Sequence, residues 1–392
     1  MNAEGSGKRK WQDRLRAAFL SLSVLAAGAG TVRAGGVAWA AEPIKLGLVG
    51  PLSGDAATFG NSVVNAVKLY FDEVNAKGGI HGQKVEIIAL DDRGDPAEAA
   101  NAVQRLITRD KVTAIIGAVT SGPMKAAAPI ANRAGVPILS PTATAAGITD
   151  IGPYVFRACF VDDFQGEVMA SFARHNLKFS RVAVLYKVTD AYSAGLAASF
   201  QNAFKQAGGT VVLVQTFGQN DQDFTAQLTR IKQANPEAIY TPVYYTDAGL
   251  IAKQARQLGI NVPLLGPDGF DSPKLIEIGG QAVVGSYFTN HYSSKDNDPV
   301  AVDFDKKYTA RYGAHPDALA ALAWDGAAMM AYGLEKAGTD RKALRDALAS
   351  IKSFHGVTGT ITMDAHRNPI KNALILQVTA DGGHRIVTRV QP

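Results

Sequence analysis

Ile44-Lys45-Leu46-Gly47-Leu48-Val49 is a run of mainly branched apolar residues. A segment over Gly60–Ala76 follows, with apolar Val63, Val67, Leu69 and Val74, and then a second apolar run at Val85–Leu90. Short apolar runs form buried strands, and an amphipathic segment between them forms a helix that covers the sheet. The stretch therefore predicts a strand–helix–strand unit. The alternation continues outward with a helix from about Pro96 to Arg109, a strand at Thr113–Val119, a helix from Pro123 to Arg133 and a short strand at Pro137–Ser140. It restarts at Arg181–Tyr186, with helix Ala191–Gln206, strand Val211–Phe217, helix Phe224–Gln233, strand Ala238–Tyr245 and helix Asp247–Leu258.

Strands alternating with helices of this length form right-handed βαβ units and parallel sheets. Two such series, separated by Tyr154–Asp163, predict an α/β chain of two similar doubly wound lobes rather than one wide sheet. The later part of the chain differs. Val300–Tyr312, Pro316–Ala337 and Arg341–Ile351 read as helices, followed by strands at Gly359–Met363, Ala373–Thr379 and Arg385–Val390. Turn signals at Asp364–Pro369 and Asp381-Gly382-Gly383 separate those strands.

The first forty residues stand apart. Lys8, Arg9, Lys10, Arg14 and Arg16 precede an apolar stretch from Ala17 to Gly30, and Ala38-Trp39-Ala40 supplies an A-x-A site before Ala41. This is the layout of a cleavable signal peptide over residues 1–40, and it predicts export to the periplasm. The apolar stretch is shorter than the roughly 20 residues a membrane-spanning helix needs, so the mature chain is expected not to span a membrane. Removing residues 1–40 leaves 34 Lys and Arg against 33 Asp and Glu, so the basic excess belongs to the leader. The remaining chain offers no electrostatic footprint for nucleic acid. Cys159 is the only cysteine, which rules out an intramolecular disulfide and cysteine-built zinc sites.

Catalytic signatures are missing. No G-x-G-x-x-G follows the first strand, and the chain contains no G-x-x-x-x-G-K-[ST], H-E-x-x-H or G-x-S-x-G. Seven histidines are scattered without a close pair. The acidic run Asp91-Asp92-Arg93-Gly94-Asp95-Pro96 reads as the end of a strand and the cap of the next helix rather than a cation site. The expectation is a binding protein, not an enzyme, with no cofactor and no metal.

Ligands of open α/β sheets sit beyond the carboxyl ends of the strands. There the chain carries Thr120-Ser121-Gly122-Pro123 and Pro141-Thr142-Ala143-Thr144. Hydroxyls and free N–H groups at a helix start suit a carboxylate, although Ser and Thr are also ordinary helix caps. The second series places Tyr192, Tyr244-Tyr245 with Asp247, and Gly266-Pro267-Asp268-Gly269 at the equivalent ends. An Asp in such a turn is commonly a turn former; opposite a carboxylate-binding lobe it can hold an ammonium group.

At these positions the chain resembles a known family. Gly47-Leu48-Val49-Gly50-Pro51-Leu52-Ser53-Gly54 with Phe59-Gly60 is similar to that family's opening strand and loop. Val74-Asn75-Ala76-Lys77-Gly78-Gly79-Ile80 with Gly82, Asp91-Asp92 through Asp95-Pro96, the Pro137–Thr144 run and Gly266-Pro267-Asp268-Gly269 follow in the same order and spacing. From Ile44 to about Val378 the chain resembles the leucine/isoleucine/valine-binding proteins, type I periplasmic solute-binding proteins of branched-chain amino acid ABC importers.

The resemblance implies two Rossmann-like lobes joined by a three-crossover hinge. Residues 43–160 with 290–360 would form lobe 1, and 161–289 with 361–392 lobe 2. It implies that Ser121 and Thr144, with backbone groups near Thr142, hold an amino acid's carboxylate. Asp268 would hold the ammonium, with Tyr192 and Tyr244 from the second lobe. Val119, Thr120, Phe59 and Trp324 would lie beside the ligand's side chain, while Phe59 and Trp324 are equally compatible with core packing. Thr142 stands where a small residue is common and Phe59 where a tyrosine is common. The implied partners are an amino acid, branched-chain or otherwise apolar, and the importer's membrane subunits, with the chain acting as a monomer. An aromatic or other small carboxylic acid on the same fold is the alternative ligand, and a ligand-sensing receptor component the alternative role.

Overall fold

The computed structural model describes residues 42–392; the signal-peptide reading of residues 1–40 lies outside them. The opening run forms β1 (Ile44–Gly50), which pairs in parallel with β2 (Val85–Asp91) on one side and β3 (Ala114–Ile116) on the other. With β4 (Ile138–Ser140) and β5 (Val155–Arg157) they complete a parallel sheet in the order β2-β1-β3-β4-β5. Leu46, Leu48 and Val49 of β1 are all fully buried, as a strand with helices on both faces requires. The covering helices are α1 (Ala57–Ala76), α2 (Pro96–Thr108) and α3 (Ser121–Arg133). Asp95 accepts from the N–H groups of Ala97 and Glu98 and caps α2, the structural use expected of the acidic run.

The chain then leaves this sheet through α4 (Asp162–Ser171) and builds a second. Its parallel part comprises β6 (Arg181–Lys187), β7 (Thr210–Phe217), β8 (Ala238–Tyr240), β9 (Leu264–Gly266) and β10 (Tyr287–Asn290). Helices α5 (Ala191–Gln206), α6 (Thr225–Ala234), α7 (Tyr245–Gln257) and α8 (Pro273–Gly279) alternate with these strands. The spatial order β7-β6-β8-β9-β10 repeats that of the first sheet, so each lobe has a switch point where successive strands depart to opposite sides.

After β10 the chain returns to the first lobe as α9 (Pro299–Tyr312), α10 (Ala318–Ala337) and α11 (Arg341–Ala349). Helix α10, rich in Ala and Gly, packs along α1, its small residues allowing close approach. Strands β11 (Phe354–Gly356), β12 (Gly359–Met363) and β13 (Pro369–Ile370) form a small antiparallel sheet. The chain crosses a third time to add antiparallel β14 (Ala373–Val378) and β15 (His384–Val390) beside β10. The molecule is thus a two-lobed α/β protein with three crossovers. Among the described residues no helix is long and apolar enough to cross a membrane.

The hinge is polar and buried. Asp325 of α10 accepts from the N–H groups of Val357 and Thr358 and from the Thr358 hydroxyl, and the Lys371 ammonium donates to the same Thr358 hydroxyl. Burial pushes the Lys371 ammonium down to about 8.

Two expected strands are shorter than the sequence suggests, for reasons of local backbone geometry. The strand predicted over Ala238–Tyr245 stops at Tyr240, and α7 starts already at Tyr245. Pro242 has no N–H for a ladder, and Val243 turns back to bond the Thr241 carbonyl. The strand predicted over Thr113–Val119 likewise ends at Ile116. A Cβ on Gly117 would lie 2.2 Å from the Val49 carbonyl oxygen, so only glycine lets the chain turn off the sheet there. In each lobe one residue released from the strand, Val119 in the first and Tyr244 in the second, lines the cavity between them. Tyr154–Asp163 is also not a plain separator, since β5 within it completes the first sheet.

Candidate ligand-binding site

The carboxyl ends of the two sheets face each other across one cavity of at most about 280 Å³. It is lined by Phe59, Val119, Thr120, Ser121, Thr142 and Leu319 from the first lobe and by Tyr192, Tyr244, Asp268 and Gly269 from the second. That size accepts a single small metabolite and excludes a peptide or nucleotide. The lobes are closed over it. Thr58 Oγ1 lies 3.0 Å from Ser272 Oγ, and Thr246 Oγ1 donates to the Asp55 carbonyl at 3.1 Å. Phe59 meets Tyr244 and Tyr245 edge to face at 5.7 and 4.9 Å.

The first-lobe wall is a helix start. Thr120 occupies the N-cap of α3 in extended conformation, without a side-chain cap bond; Pro123 has no N–H, the Ser121 N–H faces the Tyr244 phenol across the cavity, and the Gly122 N–H is left without a cap acceptor. Ser121 is buried, and its hydroxyl accepts from the Ala145 N–H at 3.2 Å. Thr142 donates its hydroxyl to the Val119 carbonyl at 2.6 Å, tying the two loops together. Arg157, fully buried, donates to the carbonyls of Ala143, Thr144 and Ala145 and fixes the second loop from behind.

The second-lobe wall is built around one carboxylate. Asp268, in the turn after β9, is only 7 % exposed. Tyr192 Oη donates to its Oδ1 at 2.6 Å, and His291 Nε2 lies 3.2 Å from its Oδ2. The Asp268 N–H donates to Gln165 Oε1 at 2.8 Å, and the Gly269 N–H donates to Tyr192 Oη at 2.9 Å. Tyr192 stacks on Tyr244 with centroids 4.8 Å apart and planes 2° from parallel. A Cβ on Gly269 would sit 2.9 Å from Tyr192 Oη and 3.0 Å from both Tyr244 Cδ1 and the Val243 carbonyl oxygen, so the turn needs glycine to admit the tyrosine pair.

These donors are neutral. Burial, then the Asp268 charge, hold the Tyr192 phenol well above its usual range. Burial pushes the His291 imidazole down to about 4, outweighing the bond to Asp268. Nearby Asp162 is pushed well above the usual carboxylate range by burial and next by Asp268, which favours its protonated form. Among the described residues Asp268 pairs with no lysine or arginine. The cavity therefore carries a carboxyl group on one wall, held by hydrogen bonds from neutral groups, facing a helix N-terminus and a hydroxyl on the other.

Of the residues singled out by sequence, the structure brings Phe59, Val119, Thr120, Ser121, Thr142, Tyr192, Tyr244 and Asp268 onto this wall. Thr144 is buried beside it, its carbonyl accepting from Arg157 and from the Asp162 N–H, but it does not line the cavity. Trp324 lies elsewhere, packed against Tyr70 at 5.0 Å and Phe304 at 5.1 Å; a 20-residue helix put it on the α1 side rather than the ligand side. Sequence reasoning missed Leu319, Gln165, Arg157 and His291. Each is a single buried residue outside any motif, and no local signal marks it.

Residues 43–383 match the family model described as periplasmic binding protein. The chain is 33 % identical over 322 residues to the Leu/Ile/Val-binding protein BraC3 of Rhizobium johnstonii, covering 81 % of this chain and 87 % of that one. It superimposes with a TM-score of 0.84 and 34 % identity on a branched-chain amino acid transporter substrate binding protein from Streptococcus pneumoniae in complex with isoleucine, covering 89 % of this chain and 100 % of the other. It also superimposes, with a TM-score of 0.82 and 26 % identity, on an ABC transporter solute binding protein from R. palustris in complex with benzoate, covering 89 % of this chain and 97 % of that one.

Proposed function

Because the chain belongs to the periplasmic binding protein family, we propose that it captures a free amino acid with an apolar side chain between its lobes and delivers it to an ABC importer. The observation that carries this reading is Asp268, a buried carboxylate on the cavity wall whose partners are neutral. A ligand ammonium supplies the missing charge, while its carboxylate takes the Ser121 hydroxyl and the free amide at the start of α3. Phe59, Val119 and Leu319 offer apolar surface to the side chain.

Lobes made of 43–160 with 290–360 and 161–289 with 361–392 would close about the three crossovers, excluding water and strengthening the charged bonds. The role is binding rather than catalysis, in the periplasm, with the importer's membrane subunits reading the closed form. An aromatic acid is the second reading, favoured by the benzoate-bound relative. Asp268 opposes it, because a carboxylate left unpaired would face an anion. A thermal-shift screen of amino acids and benzoates separates the two. Stabilisation by leucine, isoleucine or valine is expected; stabilisation by benzoates alone sinks the proposal.

A further inference from the structure

His291 is the first residue after β10, at the start of the second crossover between lobes. Its side chain is 1 % exposed and is not part of the cavity lining. The ring stacks on Phe160 of the first crossover, centroids 3.6 Å apart and planes 24° from parallel. Its backbone N–H donates to Asn290 Oδ1 at 2.9 Å, and Asn290 Nδ2 donates to Asp271 Oδ2 at 2.9 Å, so both backbone and ring are anchored. Nε2 is directed at Asp268 Oδ2, whereas Nδ1 has no hydrogen-bond partner among the described residues.

We propose that His291 is a positioning residue for ligand recognition: as the neutral Nε2–H tautomer it donates to Asp268 Oδ2 and holds that carboxylate, charge intact, in the orientation that receives an ammonium group. The inference rests on the amino-acid reading of the cavity. The geometry at the carboxylate and the charge of the donor both support it. Asp268 Oδ1 is already taken by Tyr192, so the His291 bond fixes the remaining rotation of the carboxylate plane. A lysine or arginine at this place would also orient Asp268, but would cancel the charge the ligand needs. The depressed basicity of the buried imidazole agrees with a neutral donor. His291 therefore contributes to choosing an amino acid over its des-amino analogue without touching either.

The test combines affinity and spectroscopy on the whole chain without its leader. His291→Phe keeps the stacking on Phe160 and removes the donor; His291→Gln can place an N–H near Nε2. By calorimetry with leucine, isoleucine and valine, His291→Phe is expected to weaken binding about 10- to 100-fold, the range for one hydrogen bond to a charged group. His291→Gln should recover most of that loss. The weakening should disappear in an Asp268→Asn background, where the oriented charge is already gone. Equal weakening in both backgrounds, or no weakening in either, overturns the proposal in favour of mere packing. The imidazole nitrogen signals of ligand-free protein at pH 7 give an independent arm. An Nε2–H tautomer whose signals move on Asp268→Asn supports the role, and an Nδ1–H or cationic ring refutes it. If wild type binds none of the three amino acids, the reading of the site fails, and with it the ligand claim; the ring signals still report whether His291 orients Asp268.

Discussion

Asp268→Asn tests the chemistry of the cavity most directly. The substitution keeps shape and volume but removes the charge, and leaves one oxygen where Tyr192 and His291 each have an acceptor. A ligand ammonium docked on Asp268 would lose a buried charge partner, which costs about 2–5 kcal/mol. At about 1.4 kcal/mol per factor of ten, affinity should fall roughly 30- to 4,000-fold. The fold should persist: the neutral amide is easier to desolvate than the carboxylate, which offsets the roughly 1–3 kcal/mol cost of the buried donor that loses its acceptor. The assay is calorimetric titration of wild type and variant with an apolar amino acid and with the matching carboxylic acid lacking the ammonium. Wild type should prefer the amino acid strongly, and the variant should lose most of that preference. An affinity within twofold of wild type, with the preference intact, would refute the role of Asp268.

Other outcomes follow from the same geometry. Tyr192→Phe removes the donor to Asp268 Oδ1 and the acceptor for the Gly269 N–H, and should weaken binding roughly 10- to 100-fold by calorimetry. Gly269→Ala drives a methyl group against Tyr192 and Tyr244; the fold should persist by circular dichroism while stabilisation of the melt by ligand is largely lost. Asp317 caps α10, accepting from the Ala320 N–H and the Ser62 hydroxyl. Burial, and next the charge of Asp271, raise its carboxyl to about 7. The folded chain therefore binds this proton more tightly than the unfolded chain between pH ~4 and ~7, so stability from this group is present at low pH and is lost as pH rises through that interval. Asp317→Asn should flatten that part of a melting-temperature profile and raise stability above pH 7. An unchanged slope would show that the proton resides elsewhere.

The doubly wound architecture was legible because it rests on local physics. An apolar run such as Ile44–Val49 has no stable place but a sheet covered on both faces, Val85–Leu90 pairs beside it as the half-exposed edge strand, and the helices between them declare their apolar side by spacing. Strand β10 was not legible, and of β9 only the end showed, through its Gly-Pro-Asp-Gly turn: such short runs outside a strand–helix alternation have ladders satisfied only by neighbours distant in sequence. The same limit explains Trp324. An aromatic on a long helix is compatible with ligand or core, and only the packing of α10 along α1 selects between them.

Two βαβ series, with hydroxyls and an acid at their strand ends, can be read along the chain because turn chemistry and helix starts are written in neighbouring residues. It takes the folded chain to bring Ser121 and Asp268 to opposite walls of a cavity of at most about 280 Å³. Folding also sets Arg157, Gln165 and His291 behind them. The difference is electrostatic. Whether a carboxylate is a turn former or a binding charge depends on its burial and on the charge state of its partners. For Asp268 those partners come from Tyr192, 76 residues earlier in the chain, and His291, 23 residues later.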